Sequence, residues 1–369
     1  MTRVEIAVSP RPYAALIEGG LLQRCGEHLS ELLNGTHSRF FIVTVAPVRR
    51  RWGSRLHDSL ANAGFKATFL QMPDGEPHKK MATVEMLAEQ LARLHADRDA
   101  VILAFGGGVV GDTAGLLASI YMRGVRLIHI PTTVLAQVDA SLGGKTGVNL
   151  RLGKNLLGTF YQPLAVLIDP EVLSSLPERQ FRAGLYECLK CSVIGNPNLF
   201  SYLEKADLKV LRGDSPSLEW VIAESVKLKA EVVACDEREA GLRRVLNFGH
   251  TIGHALEAQS KYRYFLHGEA VGWGMIAASH IADKIGHCDG ETQRRISEAV
   301  LGLGSLPRVN VQTRDILRLL QADKKARNGC VHFVLPRAIG HVDIVSQVPE
   351  SVVRGSLQHL RTLSKKDRP

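Results

Sequence analysis

The 369-residue sequence predicts an α/β domain with a mostly parallel sheet, followed by an all-α domain. Three observations carry this. Short β-rich runs alternate with helix-length segments as far as Asp169-Pro170, and long amphipathic stretches dominate beyond it. The length also exceeds what a single hydrophobic core usually supports. The division falls after residue 175, giving domains 1–175 and 176–369.

Val4–Val8 and Tyr13–Glu18 read as an opening hairpin around Pro10. Strand-like runs follow at Arg39–Val45, Lys66–Gln71, Ala100–Phe105, Arg126–Ile130 and Ala165–Ile168. Between them lie helical patterns such as Leu21–Leu33, Val48–Ala63 and Lys79–Leu94, which make βαβ units. The second half reads as helices over Pro177–Gly195, Leu218–Val233, Gly249–Gln259, Gly268–Ile285, Glu291–Leu303 and Thr313–Lys325. Cys330–Pro336 and His341–Ser346 form a small hairpin in this reading.

Hydrophobic content of 45% and charged content of 22% are those of an ordinary globular protein. The net charge of +9 is dispersed, and no basic run alternates with aromatics, which argues against a nucleic-acid partner. The one Cys-x-x-Cys, at Cys188 and Cys191, lacks the second pair that a structural zinc site needs. The cysteines are therefore expected to be reduced packing residues of a cytoplasmic protein. No signal-peptide core opens the chain and no apolar stretch is long enough to span a bilayer, so no membrane role is expected.

His250 and His254 lie four residues apart in a helical run, so both imidazoles project from one face. His267 ends the next loop, and Glu187 is a candidate fourth donor for a catalytic metal. A buried, hydrogen-bonded histidine pair on a core helix is the alternative. Gly106, Gly108 and Gly111 follow a buried strand with dinucleotide-binding spacing, but no acid lies about twenty residues on to hold a ribose. Either this is a plain glycine turn or it is a non-standard nucleotide site. In Asp74-Gly75-Glu76-Pro77-His78-Lys79, Glu76 suits ribose hydroxyls and Lys79 a phosphate; the bland reading is an Asp-Gly turn. Lys145 and Lys154, each beside glycine, suggest anion binding, with a flexible loop as the alternative. Gly143-Gly144-Lys145-Thr146 is not a triphosphate P-loop, because Ala140 stands where that motif needs its first glycine. Arg123, Lys190, Lys229, Arg243, Asn247 and Lys324 read singly as solvated groups and together as a set for a phosphorylated, carboxylated substrate.

Together these segments resemble the 3-dehydroquinate synthase family over almost the whole chain. The motifs are GGGVVGDTAG at 106–115, YMRGV at 121–125, PTTVLAQVDASLGGKTGVN at 131–149 and GKNLLGTFYQP at 153–163. DEREAGLRRVLNFGHTIGHALE at 236–257 and LHGEAV at 266–271 complete them. The resemblance implies a Rossmann-like NAD-binding domain and a helical metal- and substrate-binding domain, the dehydroquinate synthase-like fold. It implies NAD and a divalent metal, zinc or cobalt, held by Glu187, His250 and His267. His254 then becomes a residue that supports the metal's ligands or handles a proton, and not a ligand. NAD contacts fall on Asp74, Gly75, Glu76, Lys79, Gly107, Gly108, Val109, Val110, Gly111, Asp112, Thr132, Thr133, Lys145 and Lys154. Substrate contacts fall on Arg123, Asp139, Lys145, Asn155, Lys190, Lys229, Arg243, Asn247, His254 and Lys324, with Lys325 adjacent to the last.

The implied reaction converts 3-deoxy-D-arabino-heptulosonate 7-phosphate to 3-dehydroquinate and phosphate, by transient oxidation, elimination, reduction and aldol closure. A homodimer is implied as well. Two departures from the family pattern bear on packing near the metal: Tyr186, where a small residue is usual, and the Cys188/Cys191 pair. The rival readings are a related sugar phosphate cyclase, a metal-dependent NAD polyol dehydrogenase and a non-catalytic sugar-phosphate sensor.

Overall fold

The computed structural model describes residues 1–9, 11–33, 38–310, 312–326 and 331–366, with the side chains of 322–326 and of Lys366 outside the described set. The chain forms two compact units: Met1–Pro177 with Arg212–Arg238, and Glu178–Leu211 with Glu239–Pro369.

In the first unit the elements run β1 (Thr2–Ile6), β2 (Tyr13–Ile17), α1 (Cys25–Leu32), β3 (Arg39–Val45), α2 (Ala46–Asn62), β4 (Lys66–Met72), α3 (Met81–Arg93), β5 (Val101–Gly106), α4 (Gly108–Ile120) and β6 (Arg126–Pro131). A hairpin of β7 (Lys145–Leu150) and β8 (Gly153–Phe160) follows, then β9 (Ala165–Ile168). The main sheet has the order β1-β2-β9-β6-β5-β3-β4, parallel throughout except for the β1–β2 pair. β3, β5 and β9 are almost wholly buried, which is why each reads as a continuous apolar run and not an alternating one. Beneath one face, Phe41, Val43, Leu70, Leu87, Ile102, Leu117 and Leu127 form the core with the helices.

The second unit contains α5 (Glu178–Gly195), α6 (Pro197–Leu203), α9 (His250–Gln259), α10 (His267–Lys284), α11 (Gly290–Gly302), α12 (Thr313–Ala326) and α13 (Glu350–Lys366), plus a β10–β11 hairpin (Phe333–Ala338, His341–Val345). Between them in sequence lie α7 (Leu208–Gly213) and α8 (Ser215–Cys235). The sequence places α8 in the second domain, after residue 175, but it belongs with the α/β unit. It is held there by its buried Val221, Ile222 and Val226 and by Lys229, whose Nζ donates to Asp139.

The opening hairpin sits two residues earlier on its first strand than expected, and its Pro10 lies outside the described residues. β7 and β8, where the sequence reading places an anion-binding segment and names no strand, are an antiparallel pair in which Gly147 faces Gly158. A Cβ on Gly147 would stand 2.9 Å from the Leu157 carbonyl oxygen, so glycine permits this close crossing. Among the described residues, no helix is long and apolar enough to cross a membrane.

Candidate functional site

Each unit carries a cluster of the residues singled out from the sequence. In the first unit, β5 runs into Gly106-Gly107-Gly108 and then α4. A Cβ on Gly106 would overlap Val110, and one on Gly107 would stand 3.0 Å from Thr133 Cγ2. The Thr132 N–H donates to Gly106 O, and Thr133 Oγ1 accepts from the Ala136 N–H. The N–H groups of the first turn of α4, which have no intrahelical partner, therefore lie beside a side-chain-free run of glycines at the carboxyl ends of parallel strands, a cradle for an anion. A dinucleotide pyrophosphate fits these residues.

Around that cradle the Asp74–Lys79 loop and the β7–β8 hairpin are stitched together. Asn149 Nδ2 donates to Glu76 Oε1 at 2.8 Å, the Asn149 N–H donates to Lys79 O, and the Asn155 N–H donates to Asn149 Oδ1. The buried Lys79 ammonium meets Asp112 and Asn155. Burial pushes the Asp112 carboxyl up, and Lys79 pulls it the other way. Lys154 Nζ stands 4.0 Å from Glu76.

Asp139 lies in a π-helical turn, Ala136–Ala140, a widening common at functional positions. Lys229 Nζ donates to both its carbonyl and its Oδ1 at 2.6 Å. Gly143 and Gly144 take positive φ (86° and 69°) immediately before Lys145. Arg123 is itself at φ 67°, beside Met122 at 48°, a strained exposed turn held by the Tyr161 hydroxyl donating to Val125 O.

Below Gly111, His129 is buried in β6, and burial holds its imidazole down at about 4. A histidine depressed on folding contributes stability above its ordinary pKa, lost as pH falls through the folded value. Between pH 6.5 and 4 that loss is about 3 kcal/mol. His129→Gln is expected to flatten the acid limb of urea-denaturation stability over that window; an unchanged slope would clear His129 of the effect.

The second cluster is built by helix packing. A Cβ on Gly249, where φ is 79°, would stand 2.8 Å from Val271 O; one on Gly253 would stand 2.9 Å from Ala270 O; one on Gly274 would overlap Gly249 O. These glycines let α9 and α10 touch backbone to backbone and bring His250 and His254 beside His267. The ring centroids are 5.1, 5.2 and 5.8 Å apart, and one nitrogen from each ring lies within 4.8 Å of the others.

From α5, the fully buried Glu187 places Oε1 3.5 Å from His267 Nε2, while Lys190 Nζ stands 2.6 Å from Oε2. Neither carboxylate oxygen receives a well-directed hydrogen bond. Such a carboxylate is costly to bury without a cation. His250 Nδ1 lies 3.2 Å from Phe248 O, which orients the ring and leaves Nε2 for a ligand. Burial, then Lys190, His254 and His267, hold His250 well below the usual imidazole range, so it is neutral at pH 7 with a lone pair to give. Three imidazoles and a carboxylate form a donor set suited to zinc or cobalt.

Arg243 is buried in the turn Leu242–Asn247, and Asn247 Nδ2 donates to Glu239 at 2.8 Å. The Lys324 and Lys325 side chains lie outside the described residues. Tyr186 is accommodated: its ring packs on Gly272 and its hydroxyl donates to Gly304 O, while Cys188 and Cys191 are buried thiols. The sequence reading missed Asn149, Glu257 and the Arg179–Glu269 pair. Glu269 accepts both from Arg179, at 2.6 and 2.7 Å, and from the Leu266 N–H, fixing the start of α10 at His267.

Solved structures with this fold show what class it is. A 2-epi-5-epi-valiolone synthase from Streptomyces hygroscopicus, with NAD+ and Zn2+ bound, is 31% identical with a TM-score of 0.87 over 97% of this chain and 99% of that one. A 2-deoxy-scyllo-inosose synthase, complexed with carbaglucose-6-phosphate, NAD+ and Co2+, is 25% identical with a TM-score of 0.86 over 97% and 100%. Fold and clusters thus place the chain among the sugar phosphate cyclases.

Residues 69–183 match the 3-dehydroquinate synthase N-terminal family and residues 184–326 its C-terminal counterpart. A 3-dehydroquinate synthase from Koribacter versatilis is 50% identical over 364 residues, 99% of either chain. The chain belongs to the 3-dehydroquinate synthase family.

Proposed function

We propose that the chain converts 3-deoxy-D-arabino-heptulosonate 7-phosphate to 3-dehydroquinate and inorganic phosphate, with NAD that is regenerated in each turnover and a divalent metal, zinc or cobalt. The observation that carries this is the full-length 50% identity to a 3-dehydroquinate synthase. The metal would be held by Glu187, His250 and His267, and NAD by Asp74–Lys79, Gly107–Asp112, Thr132, Thr133, Lys145 and Lys154. When bound, the metal acidifies a substrate hydroxyl and NAD accepts and returns a hydride.

The chain's own groups do the rest. Arg123, Lys145, Asn155, Lys190, Lys229, Arg243, Asn247 and Lys324 are assigned to the substrate's phosphate, carboxylate and hydroxyls, where charged donors fix geometry. Asp139 orients Lys229 through the two contacts at 2.6 Å. His254, more exposed than its two histidine neighbours, is assigned to proton handling.

A homodimer working in the cytoplasm completes the proposal. The exposed Leu150, Leu152, Leu156, Leu157 and Phe160 on the β7–β8 hairpin support it as a surface that a second copy would cover, and the mass in solution tests it.

The deciding assay is phosphate release from the heptulosonate phosphate with zinc and catalytic NAD. Stoichiometric phosphate without net NADH, abolished by chelation, is the expected result. Phosphate released only from a sugar phosphate lacking the carboxylate would move the assignment to a related cyclase, and NADH accumulating with a polyol would move it to a dehydrogenase.

A further inference from the structure

We propose that Glu257 is a positioning residue that fixes His267 as a metal ligand through Nε2, an inference that rests on the metal-site reading above. The His267 ring bridges two buried carboxylates. Its Nε2 lies 3.5 Å from Glu187 Oε1, on the side of the donor cluster, and its Nδ1 lies 3.2 Å from Glu257 Oε2 behind it. A neutral imidazole carries one N–H, and a carboxylate facing Nδ1 draws that proton there and leaves the Nε2 lone pair for the ion. The negative charge also raises the basicity of the ring, which strengthens the bond it makes.

Glu257 is built for this place. It is 3% exposed and follows His250 by seven residues and His254 by three, so the three side chains share one stripe of α9. The Tyr262 N–H and the Ser260 hydroxyl donate to its main-chain carbonyl at 2.7 and 2.9 Å, anchoring the helix end from which it reaches back. His250 has the same arrangement with a main-chain acceptor, Phe248 O, which no substitution removes. Glu257 is the counterpart that mutation can reach.

The test measures zinc affinity of the full chain by competition with a chromogenic chelator, alongside the visible absorption of the cobalt form. Glu257→Leu is expected to weaken zinc binding roughly 10- to 100-fold and to change the cobalt bands. Glu257→Gln, isosteric and still able to accept the hydrogen bond from Nδ1, is expected to fall between it and the parent with unchanged melting after chelation. If Glu257→Leu fails to fold, Glu257→Gln decides by the same measurements. Affinity within twofold of the parent and a parental cobalt spectrum would overturn the proposal. A parent chain that binds no zinc would instead overturn the metal reading itself, so the two failures are separable.

Discussion

Replacing His250 with alanine is expected to strip the metal from the second unit and cut turnover by on the order of 10²- to 10³-fold, the scale of losing stabilisation of charge at a reacting oxygen. His254→Ala is expected to keep the metal and lose activity only. The contrast matters because the structure brings all three histidines within 4.8 Å of one another and so admits two ligand sets. Glu187, His250 and His267 form one, with the carboxylate that lacks a directed hydrogen bond; the three imidazoles alone form the other. Zinc content after dialysis separates them. Equal zinc loss from both alanine variants would make His254 a ligand, and zinc retained by His250→Ala would remove His250 from the set.

Gly274→Ala is expected to destabilise the protein strongly. Its methyl would fall on the main-chain oxygen of Gly249, and no flexible side chain can move aside. Overpacking of this kind costs about 3 kcal/mol when the backbone must shift, lowering the melting temperature by about 4 °C for a chain of this length. The α9–α10 seam also sets the separation of the histidines, so zinc affinity should fall with stability although no donor is changed. Calorimetry and chelator competition on the same preparation check both. Melting within 1 °C of the parent, a margin of roughly 1 kcal/mol or less, would show that the helices separate freely.

What could be read from the sequence follows from the range of the interactions. β3 and β9 coincide with the runs Arg39–Val45 and Ala165–Ile168, because strands buried on both faces announce themselves as uninterrupted apolar segments. The β7–β8 hairpin was hidden: Gly147, Gly153 and Gly158 break any alternation, and its pairing depends on Gly147 meeting Gly158. Helix α13 was missed although Val353, Leu357 and Leu360 form a buried stripe, since Gly355 and adjacent valines weaken the local helix signal.

At the site, His250 and His254 were legible because their relation is one helical turn. Glu257 lay on the same stripe and could have been found. The contacts of Lys79 with Asp112 and of Asn149 with Glu76 could not, because they span 33 and 73 residues and exist only once the sheet has formed. Resemblance supplied the rest, including the demotion of His254 from ligand to a supporting or proton-handling residue.

The strand order has a consequence for how the chain is made. β2 pairs only with β1 and β9, and β9 ends at Ile168, so the first two strands cannot join the main sheet until about 150 further residues have left the ribosome. At cellular synthesis rates that is a delay on the order of 10–30 s. Throughout it the apolar segment Tyr13–Ile17 has β1 on one edge and an open edge where β9 will pair. The flanking Arg3, Glu5, Arg11 and Glu18 are then its gatekeepers against association with other nascent chains, a duty that ends when β9 arrives.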